Sequence, residues 1–244
     1  MRKRYNNGEF IELEVEGRYA MFADPVSRPG GEKESYCIPT YSALVGLLEA
    51  IYWKPTFRFV IDKVRVMNEI RTAVKGERLI NLNDFAKSDI ANYKFLWMPR
   101  YQIQAHIEWN EDRPDLAADR NYNKHMDIFK RNLERGGRFS PYLGTSDCPA
   151  YVKPCVFGDG EGVFDSVGSV PLGVMFHSYI YPTGIPAEGE NARIRKNFWK
   201  PVMENGVVSF PRPDECLIYD FAIYGAPAKD KKAGRPAKEK ERTA

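Results

Sequence analysis

The chain has 244 residues, of which 43% are apolar and 28% are charged, and its formal net charge is +3. This is the composition of an ordinary soluble protein, and the length suits one large domain or two small ones. No apolar run approaches the ~20 residues of a membrane span, and the basic residues 1–4 lead into Asn and Glu instead of a signal-peptide core. We therefore expect a cytoplasmic protein without a membrane partner.

The first half of the chain predicts three strands and a helix. Residues 10–15 alternate apolar and acidic side chains, which is the pattern of a half-buried strand. Residues 41–52 predict an apolar helix that ends before Pro55, because a residue preceding proline avoids helical backbone angles. Residues 57–66 are apolar and β-branched, and residues 101–109 alternate again, so each predicts a further strand.

A second helix is predicted after residue 120. Its apolar positions follow a three-and-four spacing and form one stripe, namely Met126, Phe129 and Leu133. Asn121 or Asn123 can cap its start, and Gly136 with Gly137 can end it. Another strand follows around residues 150–157.

Lys124 and His125 lie at the start of this second helix. Free backbone N–H groups there attract anions, and the lysine adds a full positive charge beside them. The same field disfavours a charged imidazole, which keeps His125 available as a base or acid near neutral pH. The alternative is a solvated helix entrance at which His125 only packs on Phe129.

The predicted order of strand, helix, strand, strand, helix and strand indicates an α+β protein with a ferredoxin-like arrangement. From about residue 160 the sequence turns to short Tyr-, Val- and Phe-containing segments with Gly and Pro turns, which predict a β-rich lobe. We therefore expect a ferredoxin-like domain over residues 1–160, a small β-rich domain over residues 161–225, and a tail over residues 226–244.

The tail has seven basic and three acidic side chains and so a net charge of +4, whereas the rest of the chain, with 29 basic and 30 acidic side chains, has −1. It is rich in Ala, Pro and Lys and has no aromatic residue, so we predict that it is disordered. Gly234-Arg235-Pro236 looks like the core of an AT-hook, a minor-groove binder, so the tail is a candidate for non-specific DNA contact. The alternative is a solubilising tail.

The four cysteines show no C-x-x-C spacing, so we expect free buried thiols and no zinc site or disulfide framework. They are Cys37, Cys148, Cys155 and Cys216. Asp115 and Asp119 lack the additional ligands that a metal site needs, and we interpret them as loop and cap residues. His106 and His177 are expected to be structural. No cofactor or metal is predicted.

Several segments together resemble the subtype I-C CRISPR-associated RAMP protein, which is the fifth Cas family, subtype d (Dvulg). They are residues 16–25, 30–36, 49–55, 113–121, 124–125, 136–138, 202–206 and 210–213. The resemblance implies a ferredoxin-like domain with a small β-sheet domain and metal-free cleavage of precursor CRISPR RNA within its repeats. It also implies that the 5′ handle of the product is retained in the Cascade complex with the other type I-C subunits.

The resemblance assigns the catalytic Tyr, Lys and His of that family to Tyr52, Lys124 and His125. RNA can be cut without metal when its 2′-hydroxyl attacks the adjacent phosphate, provided that protons are moved and the added charge is stabilised. His125 can donate or accept a proton, Lys124 suits the charge on the phosphorane, and Tyr52 is expected to position groups or to relay a proton. Spacing alone favours the alternative that Tyr52 is an aromatic residue at the end of a core helix.

Six further residues are predicted to bind RNA, four as phosphate contacts and two as part of a glycine-rich loop. They are Lys54, Arg58, Arg120, Arg138, Gly136 and Gly137. Two alternatives to the nuclease remain open. One is a non-catalytic scaffold that binds the 5′ handle, and the other is an unrelated ferredoxin-like RNA-binding module.

Overall fold

A computed structural model describes residues 10–23, 32–80, 88–180 and 193–222. The protein is α+β with far more strand than helix. The strands are β1 (Ile11–Gly17), β2 (Tyr19–Ala20), β3 (Phe57–Val66), β4 (Arg71–Ile80), β5 (Ser88–Trp97), β6 (Arg100–Trp109), β7 (Ala150–Pro154), β8 (Ser169–Pro171), β9 (Met175–Ile180), β10 (Arg193–Trp199), β11 (Val202–Glu204), β12 (Val207–Ser209) and β13 (Leu217–Ala222). The α-helices are α1 (Tyr41–Ile51) and α2 (Tyr122–Glu134), and short 3-10 helices cover Pro114–Asp119 and Pro213–Glu215.

Seven strands form the central sheet in the order β7-β1-β6-β3-β12-β11-β8, and the neighbouring strands are antiparallel. Two smaller sheets have the orders β13-β10-β9 and β2-β5-β4. Because β12 pairs with β3, strands from both sides of residue 160 share one sheet. The domain division at residue 160 therefore stays a prediction.

The hydrophobic core lies between one face of the central sheet and the two helices. Alternate residues of β1 and β6 are fully buried there, including Leu13, Val15 and Ile103. The stripe predicted for α2 is buried as expected, and α1 buries Tyr41, Leu44, Leu47, Leu48 and Ile51. The two helices contact each other as well as the sheet, which brings the end of α1 close to the start of α2.

The other face of the sheet is polar and contains paired charges. The carboxylate of Glu14 is buried and accepts hydrogen bonds from Arg100, while Lys153 also pairs with it. The guanidinium of Arg65 is buried beside Asp165. Buried charges require such partners because desolvation disfavours an unpaired ion.

The hairpin of β4 and β5 was not predicted from the sequence. Its strands pair over ten residues but mix charged, polar and apolar side chains, so neither shows a clear period of two. Val74 and Ile90 are exposed apolar residues on this hairpin, whereas Phe95 on β5 is buried. The hairpin is specified by pairing and by burial near the end of β5, where the adjacent residues Phe95 and Leu96 are both buried, so a single-strand pattern does not reveal it.

The four cysteines are free. Cys148 and Cys216 are buried as expected, but Cys37 is exposed and Cys155 is half-buried. The expectation of burial was therefore wrong for Cys37, because it follows Tyr36 on a connection outside the strands and helices.

His177 on β9 is fully buried and has a structural environment. Its ring stacks on Tyr41 at a centroid distance of 4.3 Å and bonds the hydroxyl of Ser178 and the carbonyl of Pro211. Burial lowers the pKa of His177 to about 4. His106 lies instead between Asp62 and Glu108, and these carboxylates raise its pKa against the effect of burial.

The buried imidazole of His177 predicts a loss of stability in acid. Its pKa is about 4 in the folded protein and about 6.5 when unfolded, so its contribution is complete above pH 6.5 and is lost as the pH falls towards 4. The slope in that window is about 1.4 kcal/mol per pH unit. We expect His177→Gln to remove this slope in urea unfolding at pH 7 and pH 5. An equal pH dependence of the free energy of unfolding in both proteins would contradict it.

Candidate active site

Tyr52 is held at the point where α1 ends. Its backbone is extended (φ −160°, ψ 129°), and its N–H still donates to the carbonyl of Leu48 as the helix cap. The helix ends here as predicted, three residues before Pro55. The side chain is only 3% exposed, so its phenol points into the protein among buried neighbours such as Phe57.

The first turn of α2 carries Lys124 and His125. Asn121 is the helix cap, since its side-chain oxygen accepts a hydrogen bond from the N–H of Lys124 at 3.1 Å. His125 is 1% exposed, whereas the side chain of Lys124 is 43% exposed. The His125 ring lies 5.1 Å from that of Phe57 and 6.0 Å from that of Trp109, so it is buried between aromatic rings and is not at a solvated helix entrance.

Tyr52 and His125 are 73 positions apart in sequence, yet the Tyr52 Oη and His125 Nδ1 atoms are 2.9 Å apart. The other ring nitrogen, Nε2, lies 2.8 Å from the backbone carbonyl of Asp119. A carbonyl can only accept a hydrogen bond, so neutral His125 carries its proton on Nε2. Nδ1 is then the acceptor for the Tyr52 hydroxyl.

Asp119 organises this site, although the sequence interpretation assigned it only a loop or cap role. Its carboxylate accepts a hydrogen bond from the buried hydroxyl of Thr56 at 2.8 Å and forms an ion pair with Lys124. Its backbone carbonyl fixes the imidazole of His125. The cap role belongs to Asn121. The signal that could have identified Asp119 is its place beside the predicted helix start, with a lysine and a histidine one to two turns later.

The pKa values of the site favour neutral side chains on Tyr52 and His125. Burial lowers the pKa of His125, and the positive charges of Lys124 and Lys54 lower it further. The hydrogen bond to the Asp119 carbonyl acts in the opposite direction and raises it. Burial and the charge of Asp119 raise the pKa of Tyr52, against the effect of Arg138. Near neutral pH the pair is therefore a phenol that donates to an unprotonated imidazole nitrogen.

Two of the predicted RNA contacts lie close to this pair. Lys54 is exposed two residues after Tyr52, and Arg138 is exposed where its N–H donates to the carbonyl of Ile51 at 3.3 Å. The turn at Gly137 (φ +110°) allows this approach, because a Cβ there would lie 2.7 Å from the carbonyl oxygen of Phe139. Gly136 has a φ of +85° and ends α2 with Gly137 as predicted.

The other two predicted RNA contacts are already paired with carboxylates. Arg58 pairs with Asp112 on the surface, and Arg120 pairs with Glu111 and bonds the carbonyl of Asn110. Phosphate binding by either residue would compete with these pairs, so their assignment stays a prediction.

Within the described ranges, no three His, Cys, Asp or Glu side chains gather in a way that could hold a metal ion. In the same part of the chain, no helix has the length and apolar character needed to cross a membrane. The tail and its AT-hook-like sequence lie outside the described residues.

Residues 10–211 match the Cas5d profile of a family described as CRISPR-associated protein (Cas_Cas5). The chain is 32% identical over 175 residues to the CRISPR pre-crRNA endoribonuclease Cas5d of Thermus thermophilus, covering 68% of this chain and 71% of that protein. It is 26% identical over 226 residues to the protein of the same name from Mannheimia succiniciproducens, covering 82% and 94%. A crystal structure of a CRISPR-associated protein matches with a TM-score of 0.71 and 32% identity, covering 86% of this chain and 96% of that chain.

Proposed function

The chain belongs to the CRISPR-associated Cas5 family, in its Cas5d branch, and we propose that it is an endoribonuclease that cleaves precursor CRISPR RNA within its repeats. Its relatives from two bacteria carry the name pre-crRNA endoribonuclease. The observation that carries the proposal in this chain is the hydrogen bond between Tyr52 Oη and His125 Nδ1, with the Lys124 ammonium group beside it on the same helical turn.

This arrangement suits a transesterification that needs no metal. The 2′-oxygen of a nucleotide attacks its own 3′-phosphate, and the bond from phosphorus to the 5′-oxygen of the next nucleotide breaks. The products are a 2′,3′-cyclic phosphate and a 5′-hydroxyl. The reaction needs an acceptor for the 2′ proton, a donor for the leaving oxygen and a positive charge for the phosphorane.

Tyr52 is the proposed link between the RNA and His125. Both imidazole nitrogens already hold hydrogen bonds within the protein, and Nδ1 bonds the Tyr52 hydroxyl, so a proton from the RNA would reach the imidazole through the phenol. Because Tyr52 is itself only 3% exposed, this relay requires that RNA binding gives the substrate access to its hydroxyl. The Tyr52 oxygen accepts the 2′ proton while its own proton passes to His125 Nδ1. The raised pKa of Tyr52 favours such a relay over a free phenolate. The leaving 5′-oxygen then takes a proton from water or back along the same route.

Lys124 is the proposed stabiliser of the phosphorane. Its ammonium group is partly exposed and is held by Asp119, whose own pKa is lowered chiefly by this hydrogen bond. The positive charges of Arg138 and Lys54 also act on the site, on Tyr52 and on His125 respectively. A fixed cation aimed at the charge that develops on the phosphate is often the largest single contribution to such a reaction.

We also propose the ferredoxin-like arrangement for β1, α1, β3, β6, α2 and β7. Their order along the chain and the sheet order β7-β1-β6-β3 support it. The remaining strands after residue 160 would form the small β-rich part. Retention of the 5′ handle within Cascade in the cytoplasm follows from the resemblance to subtype I-C proteins. The non-catalytic scaffold is the second candidate, and the Tyr52–His125 hydrogen bond favours the enzyme over it.

Cleavage in the presence of EDTA is the test of this proposal. Purified protein incubated with the repeat RNA of its host should cut it at one position, at the same rate with EDTA as with Mg²⁺, because no step uses a metal. A repeat of shuffled sequence serves as the control substrate. Tight binding of the repeat without any cleavage would favour the scaffold, and cleavage that stops in EDTA would contradict the mechanism.

A further inference from the structure

We propose that Phe139 and Tyr142 form a stacking track for single-stranded RNA, which leads from the scissile phosphate into a cleft at the far end of α1. The inference rests on the proposed function, because it assigns a path to the substrate of that reaction. It places RNA binding on side chains outside the Tyr52, Lys124 and His125 cluster.

The track begins beside Tyr52 with aromatic side chains that the fold leaves exposed. Phe139 is 63% exposed and Trp53 is 51% exposed, although large aromatic residues usually contribute to a core. The N–H of Phe139 donates to the carbonyl of Ala50 at 2.9 Å, which fixes this residue against the last turn of α1. The Arg138 guanidinium lies 5.3 Å from the centre of the Phe139 ring.

An aromatic ring next to a fixed cation is suited to single-stranded RNA. Unpaired bases stack on aromatic side chains irrespective of their sequence, while arginine contributes stacking and a charge for phosphate. Because the N–H groups of Arg138 and Phe139 bond the carbonyls of Ile51 and Ala50, directly before Tyr52, a base on Phe139 would belong to a nucleotide close to the cut.

The second ring of the track is that of Tyr142, three residues after Phe139 and 46% exposed. Three residues of extended chain span at most about 10 Å, so a nucleotide or two would bridge the two rings. This segment is anchored, since the carbonyl of Pro141 accepts from the N–H of Ala150 at 2.9 Å and Leu143 bonds Cys148 at 2.8 Å. The rings are therefore presented from a held backbone.

Tyr142 lies on the wall of a cleft of about 480 Å³. The cleft also borders Lys33, Lys196, Phe176 and the hydroxyl-bearing Thr40 at the start of α1. Among the described residues that line it there is no carboxylate. The cleft borders α1 from Thr40 to Gly46, so about 9 Å of helix separates its nearer edge from Tyr52.

The distribution of charge favours a polyanion on this side of the molecule. The described lining of the cleft has two lysines and no carboxylate, whereas on the opposite face of the central sheet Glu14 is paired with Arg100 and Lys153. A strand of phosphates that leaves the active site along α1 meets lysines, and one that crosses the other face of the sheet meets charges that are already paired within the protein.

The test measures affinity for the repeat RNA of the host with 2′-deoxyribose at the cut site, so that binding is observed without cleavage. Tyr142→Ala and Phe139→Ala should each weaken binding by about tenfold, as loss of one stacked base would. Tyr151→Ala is the matched control, because Tyr151 is 71% exposed on β7 and pairs in register with Glu16, on the face of the sheet opposite the helices. Its affinity should stay within about twofold of wild type, and Tyr142→Phe should bind like wild type.

Removal of single bases from the RNA makes the test specific for stacking. At one position in the single-stranded part of the RNA, removal of the base should weaken binding to the wild-type protein by a similar factor. The same removal should not weaken binding to Tyr142→Ala any further. Equal affinities of Tyr142→Ala and Tyr151→Ala for the RNA would overturn the proposal. It would also be overturned if Phe139→Ala and Tyr142→Ala each lost as much affinity, relative to wild type, for every abasic RNA as for the intact RNA. Failure of the wild type to cut unmodified RNA would instead overturn the proposed function, since the binding measurement does not depend on cleavage.

Discussion

His125→Ala is expected to lower the single-turnover rate of repeat-RNA cleavage by about 10²-fold or more. The substitution removes the Nδ1 atom that accepts the hydrogen bond of Tyr52, so the phenol can no longer pass on its proton. Because the imidazole is 1% exposed, it has little surface with which to contact RNA directly. The affinity for the repeat should therefore change little.

Two variants make this result interpretable. His106→Ala removes a half-buried imidazole that bonds Asp62 on β3, away from the site, and it should cleave at close to the wild-type rate. Tyr52→Phe keeps the buried ring but removes the hydroxyl, so its rate should fall as that of His125→Ala does. Wild-type cleavage by a folded His125→Ala protein would remove this residue from the mechanism.

The pH dependence of the cleavage rate is a second test of the role of His125. His125 has a lowered pKa, so its neutral form prevails above pH 6.5 and the protonated form accumulates only in more acid solution. Protonation occupies Nδ1, and we expect the logarithm of the rate to fall below the depressed pKa and to level off above it. This acid limb should be absent in His125→Ala.

The sequence predicted the elements that frame the site because each has a strong local signal. The helix of residues 41–52 and the stripe of α2 follow regular spacing, and the structure places α1 at Tyr41–Ile51 and α2 at Tyr122–Glu134. Asn121 was one of two predicted caps, and it is the one the structure uses. Local patterns of this kind depend on neighbours within one or two turns.

The features that the sequence did not predict depend on contacts between distant segments. Asp119 acquires its role from Thr56, which is 63 positions away, and from the imidazole that its carbonyl fixes. The burial of His125 depends on Phe57 and Trp109, which belong to separate strands. Such a role has no spacing rule, because the fold and not the local sequence brings the partners together.

The resemblance to a known family supplied what the pattern alone left open at Tyr52. An aromatic residue at the end of an apolar helix is commonly part of a core, and Tyr52 is indeed buried. Its hydroxyl, however, lies 2.9 Å from an imidazole nitrogen, which makes it both a core residue and a candidate relay. The two interpretations of the sequence are compatible in the structure.

The central claim is that the 2′-hydroxyl of the RNA is the nucleophile and that Tyr52 removes its proton. The most direct measurement uses repeat RNA with one 2′-deoxyribose at the cut site, in EDTA, together with analysis of the ends produced from unmodified RNA. We predict no cleavage of the deoxy substrate at that position, unchanged binding, and a 2′,3′-cyclic phosphate or its hydrolysed form with a 5′-hydroxyl from the unmodified RNA. Undiminished cutting of the deoxy substrate, or a product with a 5′-phosphate, would contradict the account.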